Sequence, residues 1–130
     1  MTLADQRPDL IAYAEATRMS AAELVTALRG MLGAKLVAYL GGVKETRAVR
    51  QWAEGTRTIA SPVDQERLRI AYRAARMITE RDRPEVAQVW FQGLNPTLDD
   101  RSPAWLLREG ALDEVGPQVL AAARQFASVG

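Results

Sequence analysis

Apolar residues in this chain recur every three or four positions almost throughout, which is the spacing of one face of a helix and not the alternation of a strand. The first clear start is Ser20-Ala21-Ala22-Glu23, a capping box in which the Ser hydroxyl and the Glu carboxylate each accept from a free amide at a helix start. Leu24, Leu28, Met31 and Leu32 follow at helical spacing, and Gly33 offers the left-handed conformation that ends a helix. A second, short helix carries Leu36, Val37 and Leu40 before Gly41 and Gly42 interrupt the pattern. A third is predicted over about residues 45–54, with Val49, Trp52 and Ala53 inward and Gly55 as its stop.

Ser61 with Pro62 signals the next start, because Ser accepts from the first turn and Pro sits where no amide partner is needed. The helix after it is long, with Leu68, Ala71, Tyr72, Ala75 and Ile78 on its apolar face and Arg67, Arg69, Arg73 and Arg76 spread around the rest. The segment Arg81-Asp82-Arg83-Pro84 breaks it, and a further helix runs through Val86, Val89, Trp90 and Phe91 to Gly93. Leu94-Asn95-Pro96 is turn chemistry. Ser102 with Pro103 repeats the cap-then-proline start before Trp105, Leu106 and Leu107, and Gly110 closes that helix. A last helix is predicted from about Pro117, carrying Val119, Leu120, Ala123 and Phe126.

The expected fold is therefore all-α. The divisions read from the pattern are residues 1–19 as an N-terminal extension, 20–83 as a helical bundle with a long connecting helix, and 84–130 as a small C-terminal helical subdomain. A chain of 130 residues with 48% apolar content can build the core this needs. No apolar run approaches the roughly 18 residues of a membrane span, and the opening MTLADQRPDL is acidic and polar where a secretory signal is basic then apolar, so a soluble, cytoplasmic protein is expected.

Cysteine and histidine are both absent. That removes disulfides, thiolate chemistry, imidazole bases and the usual zinc and haem ligands, and leaves a carboxylate-only enzyme formally open, since two carboxylates can share acid and base work. Asp99, Asp100, Glu109, Asp113 and Glu114 cluster in sequence, but carboxylates near helix starts stabilise the N-terminal dipole and cap amides, and that is how they are read here. The expectation is a binding protein and not an enzyme, with no cofactor and no metal.

Formal net charge is only +1, yet the charges are unevenly placed: residues 35–83 hold eleven Lys or Arg against six Asp or Glu, and residues 84–130 hold three against six. Two halves of opposite sign point to two different partners. In the basic half, a helix, a glycine turn and a second helix within about twenty residues is the helix-turn-helix arrangement, whose second helix offers its outer face to the DNA major groove. The outer face here carries Lys44, Thr46, Arg47, Arg50 and Gln51. Arg bonds guanine edges and Gln adenine edges in two places, while Lys44, Arg57 and Thr58 suit phosphates. Trp52, at helical spacing from Val49, reads as core. Trp90, Phe91 and Trp105 place three large aromatics within sixteen residues, either as the core of the small subdomain or as a surface for a partner.

Two stretches carry a resemblance. LVAYLGGVKETRAVRQWAEG, residues 36–55, is similar to the helix-turn-helix of Xre-like proteins, and VWFQGLNPTLDDRSPAWLLREG, residues 89–110, resembles the C-terminal domain of antitoxins of the Xre/MbcA/ParS type, with Trp90, Asn95, Pro96, Leu98, Pro103, Leu107 and Gly110 as its punctuation. The turn before Trp52 is one residue longer than in the usual Xre motif. The resemblance covers about residues 20–126. It implies an antitoxin that binds a RES-type toxin degrading NAD, or a related ADP-ribosylating toxin, covers the entrance of its active site, dimerises, and represses its own operon. On that resemblance the toxin-binding residues are Trp90, Arg101, Trp105, Arg108, Arg124, Gln125 and the tail to Gly130; the residues expected to hold the operator DNA are those read from spacing and residue type, Lys44, Thr46, Arg47, Arg50, Gln51 and Arg57. The alternative is a stand-alone helix-turn-helix transcriptional regulator without a toxin partner.

Overall fold

The computed structural model describes residues 7–129, so residues 1–6 of the N-terminal extension and Gly130 of the tail lie outside it. Among the described residues the fold is all-α as expected. Eight helices run in the order α1 (Pro8–Arg18), α2 (Ala21–Leu32), α3 (Ala34–Leu40), α4 (Thr46–Glu54), α5 (Pro62–Thr79), α6 (Pro84–Gln92), α7 (Pro103–Glu109) and α8 (Leu112–Val129), with a short 3-10 turn at Pro96–Leu98. The one β pairing among these residues is an isolated bridge between Asn95 and Arg101. No described helix is long and apolar enough to cross a membrane.

The sequence signals act where they stand. Ser20 Oγ accepts from the Glu23 amide while Glu23 accepts from the Ser20 amide, so both halves of the capping box are formed. Ser61 accepts from the Val63 amide, and Ser102 from the Trp105 amide. Arg81 to Pro84 does break the chain between α5 and α6. The last helix corrects the sequence reading, because it begins at Leu112 and encloses Pro117. A proline there removes the amide that would bond to the Asp113 carbonyl four residues back, and that carbonyl belongs to an exposed residue that water can serve. Asp113 and Glu114 lie in the first turn, where their charge favours the exposed amides.

Helix α5 is the axis of the molecule and packs most extensively on α8, α1 and α2. Its Leu68, Ala71, Ala74, Ala75 and Ile78 are fully buried, and they join Leu24, Val25 and Leu28 of α2, Phe91 of α6, Leu107 of α7, and Val119 and Ala123 of α8 in one apolar cluster. Buried residues on both sides of the break at residues 80–83 belong to that cluster. Helix α1, within the predicted extension, lies on α5 through Ala12 and Ala16, whose small side chains permit close approach. Polar bonds lock it there: Glu15 Oε1 accepts from the Tyr72 hydroxyl at 2.7 Å and from Arg76 Nε at 3.1 Å, and Arg69 donates to the Ala16 carbonyl.

Arg67, expected outside the apolar face of α5, is buried. Its Nη1 donates to the Leu40 carbonyl at 3.1 Å and to Asp64 at 2.7 Å, and its Nε donates to the Leu107 carbonyl at 2.9 Å. One guanidinium on α5 therefore holds the C-terminal ends of both α3 and α7, which satisfies carbonyls that have no partner within their own helices.

Candidate functional site

The α3–α4 connection is built around two glycines. Gly41 closes α3 by donating to the Val37 carbonyl at 2.8 Å, and Gly42 takes φ +80, which an L side chain rarely adopts. The chain then extends through Glu45, whose carbonyl accepts from the Ala48 amide at 3.2 Å as α4 begins. Ala48, Val49 and Trp52 turn inward. The Trp52 ring lies against Gly41, where any Cβ would stand 2.7 Å from Cζ3. Its indole N–H has no hydrogen-bond partner among the described residues, so packing alone holds the ring.

With that face committed to the core, α4 turns a polar face outward. Lys44, Thr46, Arg47, Arg50 and Arg57 are exposed and Gln51 is half-buried. Arg57 Nη1 reaches back to Gln51 Oε1 at 3.4 Å, so the residue beyond the C-terminal end of α4 touches its polar face. Lys44, Arg47, Gln51 and Arg57 line one shallow hollow with Glu45. Lys44 and Thr46 also line a second, adjoining hollow together with Lys35, Tyr39, Glu45 and Arg108. All six residues predicted for DNA thus lie on or beside α4. Lys35 and Arg108 share the neighbouring hollow without having been read as part of that set, because they come from α3 and α7 and no linear motif joins them.

Of the six residues predicted for a protein partner, Arg101 and Trp105 are in contact with each other. Trp90 is 8% exposed and packs edge-on against Phe91, with ring centroids 5.1 Å apart, and against Phe126 at 6.3 Å. It is core. Trp105 is 44% exposed, with the Arg101 guanidinium over its ring at 5.9 Å, so these two do form a surface pair. Arg108 faces α3, donating to the Tyr39 carbonyl at 3.0 Å and stacking over the Tyr39 ring at 4.5 Å. Arg124 and Gln125 are exposed on α8, and Arg124 Nε donates to Asp9 of α1 at 3.1 Å. Val89 and Leu94, read from the sequence as helix and turn residues, flank Trp90 in sequence and are 72% and 76% exposed.

The loop before α7 is held by its own backbone. The Asn95 carbonyl accepts from the Leu98 and Asp100 amides, both at 2.9 Å, and Asn95 Oδ1 accepts from the Thr97 amide at 2.9 Å. Asp99 and Asp100 both take the left-handed conformation, with φ 56 and 59, a placement that costs non-glycine residues on the order of 1 kcal/mol each. The five clustered carboxylates are all exposed, and no three metal-ligating side chains converge among the described residues. Compared with protein-family models, with curated proteins and with solved structures, the chain matches none of them.

Proposed function

We propose that this chain is a DNA-binding antitoxin. In this reading α3 and α4 form the helix-turn-helix, α4 enters the major groove of the operator, and the C-terminal helices hold a toxin of the NAD-degrading RES type or an ADP-ribosylating relative and close its active site. The observation that carries the reading is the arrangement of α4: Val49 and Trp52 fix its inner face, while Thr46, Arg47 and Arg50 face solvent between Lys44 and Arg57. Arginines on a rigid helix can meet guanine edges in two bonds each, and cations at both ends can meet the phosphates that flank a groove. One helix of nine residues buries too little DNA surface for tight specific binding, so two copies on two half-sites fit this reading best.

Neutralisation in this reading needs no chemistry from the antitoxin. The exposed Trp105 with Arg101 is the aromatic and cationic anchor type that dominates protein interfaces. The second reading, a regulator without a toxin partner, is favoured by the burial of Trp90 and by the bond of Arg124 to Asp9 within the chain itself. Co-expression with the adjacent reading frame separates the two. Co-purification with rescue of growth is the result expected of an antitoxin, whereas DNA binding with no complex and no rescue leaves the stand-alone regulator.

A further inference from the structure

The hollow beside α4 joins parts of the chain that are far apart in sequence. Lys35 comes from the first turn of α3, Lys44 from the connection before α4, Thr46 from the start of α4, and Arg108 from the last turn of α7. With Arg47 and Arg57 in the adjoining hollow, five cations line the two among the described residues, and the one carboxylate among those lining residues is Glu45. Glu109 also stands beside Arg108, 3.7 Å from its Nε. Arg108 is not a loose surface side chain. Its stack on Tyr39 and its bond to the Tyr39 carbonyl fix the guanidinium at the rim of the hollow, and that bond uses one of its five N–H donors. A cation held in place gives up less side-chain entropy on meeting a phosphate.

We infer that α7 is part of the DNA-binding surface, with Lys35 and Arg108 contacting the phosphate backbone beside the groove that α4 enters. This rests on the reading of α4 as the DNA-contacting helix. Cations of this kind position a duplex without reading its sequence, so they act on any duplex alike. A protein seated on α7 takes these contacts away from DNA, which links the two binding surfaces through shared residues.

The test is a salt titration of duplex binding by fluorescence anisotropy, using one labelled duplex from upstream of the protein's own reading frame and one scrambled duplex of equal length. Lys35→Gln and Arg108→Gln each weaken binding to both duplexes several-fold, and each lowers the slope of log affinity against log salt by about 1. Arg18→Gln, at an exposed position on α1, leaves the slope unchanged. Arg108→Gln keeps an amide able to donate to the Tyr39 carbonyl, and a thermal melt shows whether it folds. Lys35 is exposed, so Lys35→Gln decides the matter if Arg108→Gln does not fold. Loss of binding in an Arg47→Glu, Arg50→Glu double variant together with unchanged slopes for Lys35→Gln and Arg108→Gln overturns the inference and spares the reading of α4. Failure of the unmodified protein to bind either duplex overturns both.

Discussion

The Nε of Arg67 donates to the carbonyl oxygen of Leu107 across forty residues of sequence, at 2.9 Å, in the interior of the protein. The same guanidinium bonds Leu40, so replacing it leaves two helix-end carbonyls without their donor. Arg67→Met removes the charge and keeps much of the volume. It lowers unfolding free energy by about 3 kcal/mol, the scale for stranding partners of a buried charged hydrogen-bonding group. Arg67→Lys recovers only part of this, because an ammonium lacks the planar fork that reaches both carbonyls. Urea denaturation at neutral pH reads both values.

Gly41 and Trp52 make a second contact that a single methyl group disturbs. The φ of Gly41 is −81, which any residue adopts, so Gly41→Ala is a steric change alone. Its Cβ stands 2.7 and 2.8 Å from two ring carbons, and the ring must move. The expected cost is about 1–3 kcal/mol, the range for overpacking a filled core. In a Trp52→Leu background the same alanine costs less, and a double-mutant cycle in urea measures that coupling.

Burial pushes the Tyr72 phenol up to about 12 from its ordinary 10, and its bond to the Glu15 carboxylate adds to the shift. Between those pH values the unfolded chain has lost the phenolic proton and the folded chain retains it. Stability contributed by Tyr72 is therefore whole below pH 10 and is lost as pH rises toward 12. Denaturation midpoints measured from neutral to alkaline pH fall more steeply in the unmodified protein than in Tyr72→Phe, which has no proton to lose.

Trp105 is the most exposed of the three tryptophans, and its replacement separates folding from partner binding. Trp105→Ala leaves unfolding free energy within about 1 kcal/mol. It weakens capture of the adjacent gene product by roughly tenfold or more, as loss of an aromatic anchor does. Trp90→Ala, by contrast, costs about 3–5 kcal/mol through the cavity it leaves beside Phe91 and Phe126.

Most of the helices were legible because their ends are written in short local signals. Ser20 with Glu23, Ser61 with Pro62, Ser102 with Pro103, and the glycines at 33, 41 and 55 act within a turn of where they stand. Helix α1 was not legible, because its buried positions are Ala12 and Ala16, which give little contrast with their polar neighbours. The start of α8 was misplaced because proline is read as a beginning, and here the first turn precedes it. Arg67 falls outside the apolar face as drawn from the apolar residues alone, although it lies in the row of Ala71, Ala74 and Ile78, three and four residues apart. That row was the available signal. Of the candidate site, the residues on α4 lie in one run and could be found together, whereas Lys35 and Arg108 meet them only through tertiary packing.

The measurement that bears most directly on α4 is the affinity of the upstream duplex for the unmodified protein and for the Arg47→Glu, Arg50→Glu double variant across a range of salt. The account predicts a well-folded variant whose binding is lost at every salt concentration at which the unmodified protein binds. Equal affinity and equal salt dependence for the two proteins contradict it, and the helix that meets DNA then lies elsewhere on the molecule.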